Sequence, residues 1–165
     1  WMADFFLKNM FLSGTRFKPA VEYGIYALSG NKTDTDRDES WNPLWSRTPQ
    51  ISEAYVYNYD TEQCGARWSN LFAPHVDLTA SNLFFNAKTT LACYYLRAFE
   101  DDGAGNGKNR GMLYVFKNEF TLGEHLLLEK DKLTGHLWLE VIDPGNYHSR
   151  DETGAFIRGE LMYSF

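Results

Sequence analysis

Apolar and polar residues alternate along several segments of this chain, and this alternation constrains the fold more than any other feature of the sequence. The segment His136-Leu-Trp-Leu-Glu-Val141 places Leu137, Leu139 and Val141 on one side of an extended chain. A period of two residues is typical of a β-strand with one buried face. The segment is therefore predicted to be a strand.

Further strands are predicted from the same pattern at residues 21–28, 54–59, 89–99, 112–116, 125–128 and 156–165. Tyr55, Tyr57 and Tyr59 would share one face of the strand at 54–59. A short helix is expected only at the N-terminus or near Ser69–Phe72. Polar segments rich in Gly, Asn and Asp, such as 29–40 and 101–111, separate the strands. We therefore predict one all-β domain over residues 1–165, an antiparallel β-sandwich such as a jelly roll.

Composition excludes some classes of partner. The net charge of −6 and the pI near 5.2, without a Lys/Arg cluster, argue against binding to nucleic acid. No apolar run approaches the roughly 18 residues that a transmembrane helix needs. Aromatic residues make up 16% of the chain, which is more Tyr and Trp than a core requires. The excess predicts an interface, and other copies of the chain in a homo-oligomer are candidate partners.

The sequence carries no standard catalytic or metal-binding motif. Asp34, Asp36 and Asp38 alternate as at the start of a calcium loop, but Glu39 and Trp45 stand where an EF-hand needs Gly and Glu. No histidine has a partner at metal-ligand spacing, and no Ser or Cys stands in a nucleophile elbow. We therefore expect no enzymatic activity.

The two cysteines and the loop tryptophans each leave two interpretations open. Cys64 and Cys93 can form a disulfide, or Cys93 can be a buried free thiol, since the sequence does not show their distance. Trp41 and Trp45 can stack on a sugar ring, or they can close the end of a sandwich.

The loop Asp143–Phe156 carries the most specific candidate site. Asp143, Asn146, Asp151 and Glu152 offer oxygen donors that suit calcium. Pro144-Gly145 favours a turn at the start of the loop, and Gly154 permits a positive φ near its end. Carboxylates buried together without a cation would repel one another and lose hydration. In a solvated loop that cost disappears and no ion is needed.

The segment 135–161, "GHLWLEVIDPGNYHSRDETGAFIRGEL", resembles the C-terminal hairpin of the calcium-dependent, galactose-binding soluble bacterial lectins and of wider galactose-binding-like β-sandwich domains. The shared order is a Gly-x-Leu-x-Leu strand, an Asp, Pro-Gly-x-Tyr, a polar pair and Gly-x-Phe. The resemblance implies a galactose-binding-like topology and a calcium ion. The implied ligands of the ion are Asp143, Asn146, Asp151 and Glu152. In a lectin-like module, Tyr147, His148 or a loop tryptophan (Trp41 or Trp45) would stack on the sugar or form hydrogen bonds to it.

Two functional hypotheses follow. The first is a lectin-like, non-catalytic module on an extracellular or particle surface that binds carbohydrate through a calcium-organised loop. The alternative is a jelly-roll structural subunit of a larger assembly, such as a virus coat, a fibre or a decoration protein. Calcium-dependent stabilisation would favour the first, and a large symmetric mass in solution would favour the second.

Overall fold

The computed structural model describes residues 1–32, 34–41, 51–54, 69–83, 86–101, 106–149 and 151–165. In these residues the chain forms strands and no α-helix of a full turn. The strands are β1 (Met2–Met10), β2 (Ala20–Leu28), β3 (Leu71–Ser81), β4 (Ala87–Arg97), β5 (Asn109–Glu124), β6 (Lys132–Asp143) and β7 (Gly154–Ser164).

Each strand pairs antiparallel with the next one along the chain, so the sheet order is β1-β2-β3-β4-β5-β6-β7. The predicted all-β, antiparallel architecture is confirmed. The seven strands form one open sheet. A second facing sheet, as in a sandwich or jelly roll, is not among the residues that the structure describes.

Most of the predicted strands are present, and three local predictions are wrong. The segments at 21–28, 89–99, 112–116, 136–141 and 156–165 correspond to β2, β4, β5, β6 and β7. The N-terminal segment is strand β1 and not a helix, and Ser69–Phe72 leads into strand β3. Residues 125–128 form a turn and not a strand. The predicted strand at 54–59, apart from Ala54, lies outside the described residues.

The antiparallel order sends successive connections to opposite ends of the sheet. The turns at 11–19, 82–86 and 125–131 lie at one end, which we call the lower end. The connections at 29–70, 98–108 and 144–153 lie at the other, which we call the upper end. This separation follows from the topology alone.

Residues that face each other across neighbouring strands point to the same side of the sheet, which defines two faces. The inner face carries the buried core, which includes Tyr26, Ala73, Tyr94, Leu113 and Ile142. The open face carries the alternate residues of the same strands. The core lies in the upper half of the inner face, where Trp41, Ile51 and Ala54 pack against it.

The lower half of the inner face is polar. Lys8 on β1 forms an ion pair with Glu22 on β2 at 3.5 Å. On β3, His75 Nδ1 lies 2.9 Å from the Asp77 carboxylate, and the His75 ring stacks on Tyr94. The inner face therefore changes from apolar to polar along the strands, and its lower half suits contact with water.

A buried carboxylate holds the segment 51–54 against the core. Glu140 on β6 is 1% exposed. It accepts hydrogen bonds from the Ser52 hydroxyl at 2.5 Å and from the backbone amides of Glu53 at 3.1 Å and Ala54 at 3.0 Å. Burial raises the pKa of Glu140 above its ordinary value, and these three bonds offset only part of that rise. Burial of this carboxylate is therefore unfavourable, but three hydrogen-bond donors compensate for part of the lost hydration.

We expect Glu140→Ala to lower the free energy of unfolding by about 3 kcal/mol, because three buried donors lose their acceptor. Urea denaturation measures the change. The control Glu129→Ala, which truncates an exposed glutamate, should stay within about 0.5 kcal/mol of wild type. Equal losses in the two variants would contradict this role of Glu140.

The raised pKa of Glu140 also predicts a pH dependence. In the folded state this carboxyl holds its proton above the ordinary pKa of 4.5, so its contribution to stability falls as pH rises through 4.5 and beyond. The Glu140→Gln variant cannot ionise there and should lack that fall. The difference between the two stability curves, measured against pH, isolates the effect.

Candidate functional site

The connection that was predicted to bind calcium folds back over the start of β5. Gly111 has φ +105, and a Cβ on it would lie 2.1 Å from the Asp143 carbonyl oxygen. A Cβ on Gly145 would lie 2.2 Å from the Asn109 carbonyl oxygen. Backbone therefore packs on backbone here, and only glycine fits at the two positions.

Asn146 ties this connection to the neighbouring one. Its side-chain Oδ1 accepts a hydrogen bond from the Asn109 amide at 3.1 Å, and its carbonyl oxygen accepts one from the Asn106 amide at 2.7 Å. The Tyr147 amide donates in turn to the Asn109 carbonyl at 2.9 Å. Asn146 thus joins two upper-end connections through hydrogen bonds.

Tyr147 and His148 are buried, which the sequence did not predict. The Arg110 guanidinium carbon lies 4.7 Å from the centre of the Tyr147 ring, and His148 meets that ring edge-on at 5.3 Å. Arg110 donates hydrogen bonds to the carbonyls of Ser69 and Asn70, each at 2.7 Å. Both aromatic rings therefore contribute to packing at the upper end.

The remaining predicted site residues are dispersed. Asp143, Asp151 and Glu152 are exposed, and Trp41 is partly buried against the core. Trp45 lies outside the described residues. Among the described residues, no group of three or more His, Cys, Asp or Glu could hold a metal ion. Calcium and carbohydrate binding by this loop stay predictions.

The open face is an extended apolar surface. In its centre is a hollow of about 490 Å³ whose lining includes Val76, Leu91, Cys93, Tyr114 and Val141. Leu91 is 50% exposed and Tyr114 is 47% exposed, although both lie on central strands. Among the strand residues that the pairing assigns to this face, the charged ones are Arg97 and Asp143, both at the upper rim. Such a surface is unusual for a protein that stands alone in water.

A sequence signal for this face exists in β4. Leu91, Cys93 and Tyr95 occupy one parity of the strand, while Ala92, Tyr94 and Leu96 occupy the other. A strand that is apolar at both parities is typical of a sheet that is covered on both faces. The structure covers only the inner face with described residues.

The turn between β5 and β6 is held by a second buried carboxylate. Asp131 accepts hydrogen bonds from the amides of Leu126 at 2.6 Å, Leu127 at 2.5 Å and Leu128 at 2.8 Å, and from the Tyr163 hydroxyl at 2.6 Å. Desolvation alone would raise the pKa of Asp131, but these donors outweigh it and hold the pKa at about 2. The carboxylate fixes the backbone of three leucines whose side chains are exposed.

Comparison of the chain with protein-family models, curated proteins and solved structures finds no match. In the part of the chain that the structure describes, there is no helix with the length and apolar character needed to span a membrane.

The calcium hypothesis predicts that the midpoint of thermal unfolding rises when millimolar calcium replaces excess EDTA, because a ligand that binds only the native state stabilises it. The rise should disappear in Asp151→Ala and persist in Asp34→Ala, which changes an exposed carboxylate in another loop. An unchanged wild-type midpoint would leave residues 143–153 as an ordinary connection.

Asp131 should contribute stability that is lost in acid. Because its folded pKa of about 2 lies below its ordinary 3.8, the contribution is present above pH 3.8 and disappears as pH falls through 2. Asp131→Asn should therefore be less stable than wild type at neutral pH, with a difference that shrinks towards pH 2. Thermal melts across this range measure it, and a constant difference at every pH would argue against the hydrogen-bonded carboxylate.

Proposed function

We propose that this chain is a non-catalytic structural subunit that assembles with further copies of itself through the open face. The observation that carries the proposal is the apolar surface that spans the sheet from Ile25 on β2 to Ile157 on β7. Leaving this much apolar surface in water is unfavourable, and burial against a partner removes the cost.

The size of the face suits a stable interface. Seven strands at a spacing of about 4.8 Å, each about ten residues long at about 3.3 Å per residue, give a face of roughly 1,000 Å². A standard protein–protein interface buries about 800 Å² on each partner. One copy therefore offers enough area for a specific contact.

The distribution of charge also supports a contact between copies. The centre of the open face carries no charged side chain, so its burial would not require an ion to lose its hydration. Arg97 and Asp143 lie at the rim, where interfaces are usually polar. Two copies of a face without central charge do not repel each other at close range, in spite of the net charge of −6 on each chain.

The proposed contact would produce a β-sandwich between chains. Two sheets pack face to face at about 10 Å, with their strands within about 30° of each other and their side chains interdigitated. Tyr23 pairs with Val76 of the hollow, and Tyr95 lies two residues from Cys93 on β4, so both exposed rings are available to enter the partner's hollow. A coat, fibre or decoration subunit is the class of protein that this assembly fits.

We expect a mass in solution that is a multiple of 19.1 kDa, measured by light scattering during size exclusion. Leu91→Glu should yield the monomer, because it places a carboxylate in the middle of the face. The matched control is Thr90→Glu, on the adjacent residue of β4 that points to the polar half of the inner face, and it should leave the mass unchanged. A wild-type monomer at high concentration would refute the proposal.

A further inference from the structure

The lower end of the sheet presents exposed aliphatic side chains on three separate turns. Leu127 is 81% exposed and Leu12 is 72% exposed. The β3–β4 turn adds Leu83, the β5–β6 turn adds Leu126 and Leu128, and the lower end of β5 adds Leu122, all exposed. Turns normally carry small or polar residues, so this concentration of large apolar residues needs its own explanation.

Hydrogen bonds hold the backbone of the described turn residues that carry these side chains. Asp131 binds the three consecutive amides of Leu126, Leu127 and Leu128 and is itself held by Tyr163, so the leucine turn cannot easily rearrange to bury its side chains. The β1–β2 and β3–β4 turns are joined because Asn82 Nδ2 donates to the Arg16 carbonyl at 3.0 Å and the Ser81 amide donates to the Phe17 carbonyl at 2.7 Å. The lower end is thus an ordered apolar surface.

Charge is segregated between the two ends of the sheet. The lower-end connections 11–19, 82–86 and 125–131 contain three Lys or Arg and two Asp or Glu, and one of those acids is the hydrogen-bonded Asp131. The upper-end connections 29–70, 98–108 and 144–153 contain six Lys or Arg and twelve Asp or Glu. The acidic net charge of the chain therefore belongs to the upper end, and the lower end has a small basic excess.

We propose that the lower end docks on the surface of a lipid bilayer that contains anionic headgroups. The leucine tips would enter the boundary between headgroups and acyl chains, and Arg16, Lys18 and Lys130 would remain among the headgroups. The acidic upper end would point away from the membrane. This docking uses a different surface from the proposed contact between copies and does not depend on it.

A bilayer fits this surface better than a protein partner does. The three turns are two strands apart, or about 10 Å, so their exposed side chains form a row along the narrow end of one sheet. A protein partner needs a broad surface of matched shape, whereas lipid accepts apolar side chains one by one. The basic excess beside the tips adds attraction to anionic lipid, which salt would weaken.

The test is sedimentation of the full chain with vesicles of phosphatidylcholine mixed with phosphatidylserine. We expect wild type to bind, and the double variant Leu127→Gln, Leu128→Gln to bind at least about tenfold more weakly, because two leucines lose their apolar transfer to the bilayer. Both side chains are exposed, so the unfolding midpoint should not change and serves as the check on folding. Phe6→Gln, on an exposed inner-face residue of β1 that belongs neither to the lower end nor to the open face, should bind as wild type.

Two charge-reversal variants test the orientation of the protein on the bilayer. Lys130→Glu, at the lower end, should weaken binding to the mixed vesicles, and Lys32→Glu, at the upper end, should not. Absence of wild-type binding would overturn the inference, as would equal weakening in the leucine and Phe6 variants. A leucine variant that changes the mass in solution without vesicles would identify the lower end as a contact between proteins and would also overturn it.

Discussion

The uninterrupted antiparallel pairing of each strand with its sequence neighbour determines the two faces and the two ends of this molecule. Because neighbouring strands are joined directly, every connection reaches only one end of the sheet, and alternate connections share an end. Because side chains alternate, each strand divides its residues between the inner and the open face. The division of the connections between an upper and a lower end, and of the strand residues between an inner and an open face, follows from this one pairing scheme.

The inner face shows how the chain covers one side of such a sheet. The segment 51–54 crosses the upper half of that face, and its backbone donors need an acceptor where water is excluded. Glu140 supplies that acceptor from the middle of β6. Burial of an ionised carboxylate in this position is unfavourable, as the raised pKa of Glu140 shows. The contact therefore fixes the position of the segment 51–54, while the burial of the charge reduces the stability that the contact contributes. Asp131 is the opposite case, because its donors lower the pKa and its charge is favoured.

Sequence periodicity predicted β2, β4, β5, β6 and β7, but it missed β3, although apolar Val76 and Leu78 alternate there with polar residues. It failed for β1, where Phe5 and Leu7 point to one side and Phe6 to the other, so no period of two is visible. Periodicity wrongly predicted a strand at His125–Leu128, because three consecutive leucines are typical of a strand. The turn there depends on the Asp131 carboxylate, which accepts hydrogen bonds from the amides of these leucines, and periodicity does not detect such a contact. The burial of Tyr147 could not be predicted, since it depends on Arg110 from a neighbouring connection. Alternation of apolar and polar residues also does not show whether other residues cover an apolar face. The exposure of the open face is therefore known only from the structure.

The two proposed surfaces are perpendicular to each other, and this relation limits how they can act together. A second copy on the open face lies beside the sheet, so it leaves the lower end of each copy accessible. A two-fold axis parallel to the strands would point both lower ends in the same direction, and both could then meet one bilayer, with the second contact strengthened by proximity. An axis across the strands would point the two ends apart, and a pair could then bridge two bilayers. The direction of the axis thus decides whether assembly increases membrane affinity or joins membranes, and the antiparallel sheet permits either arrangement.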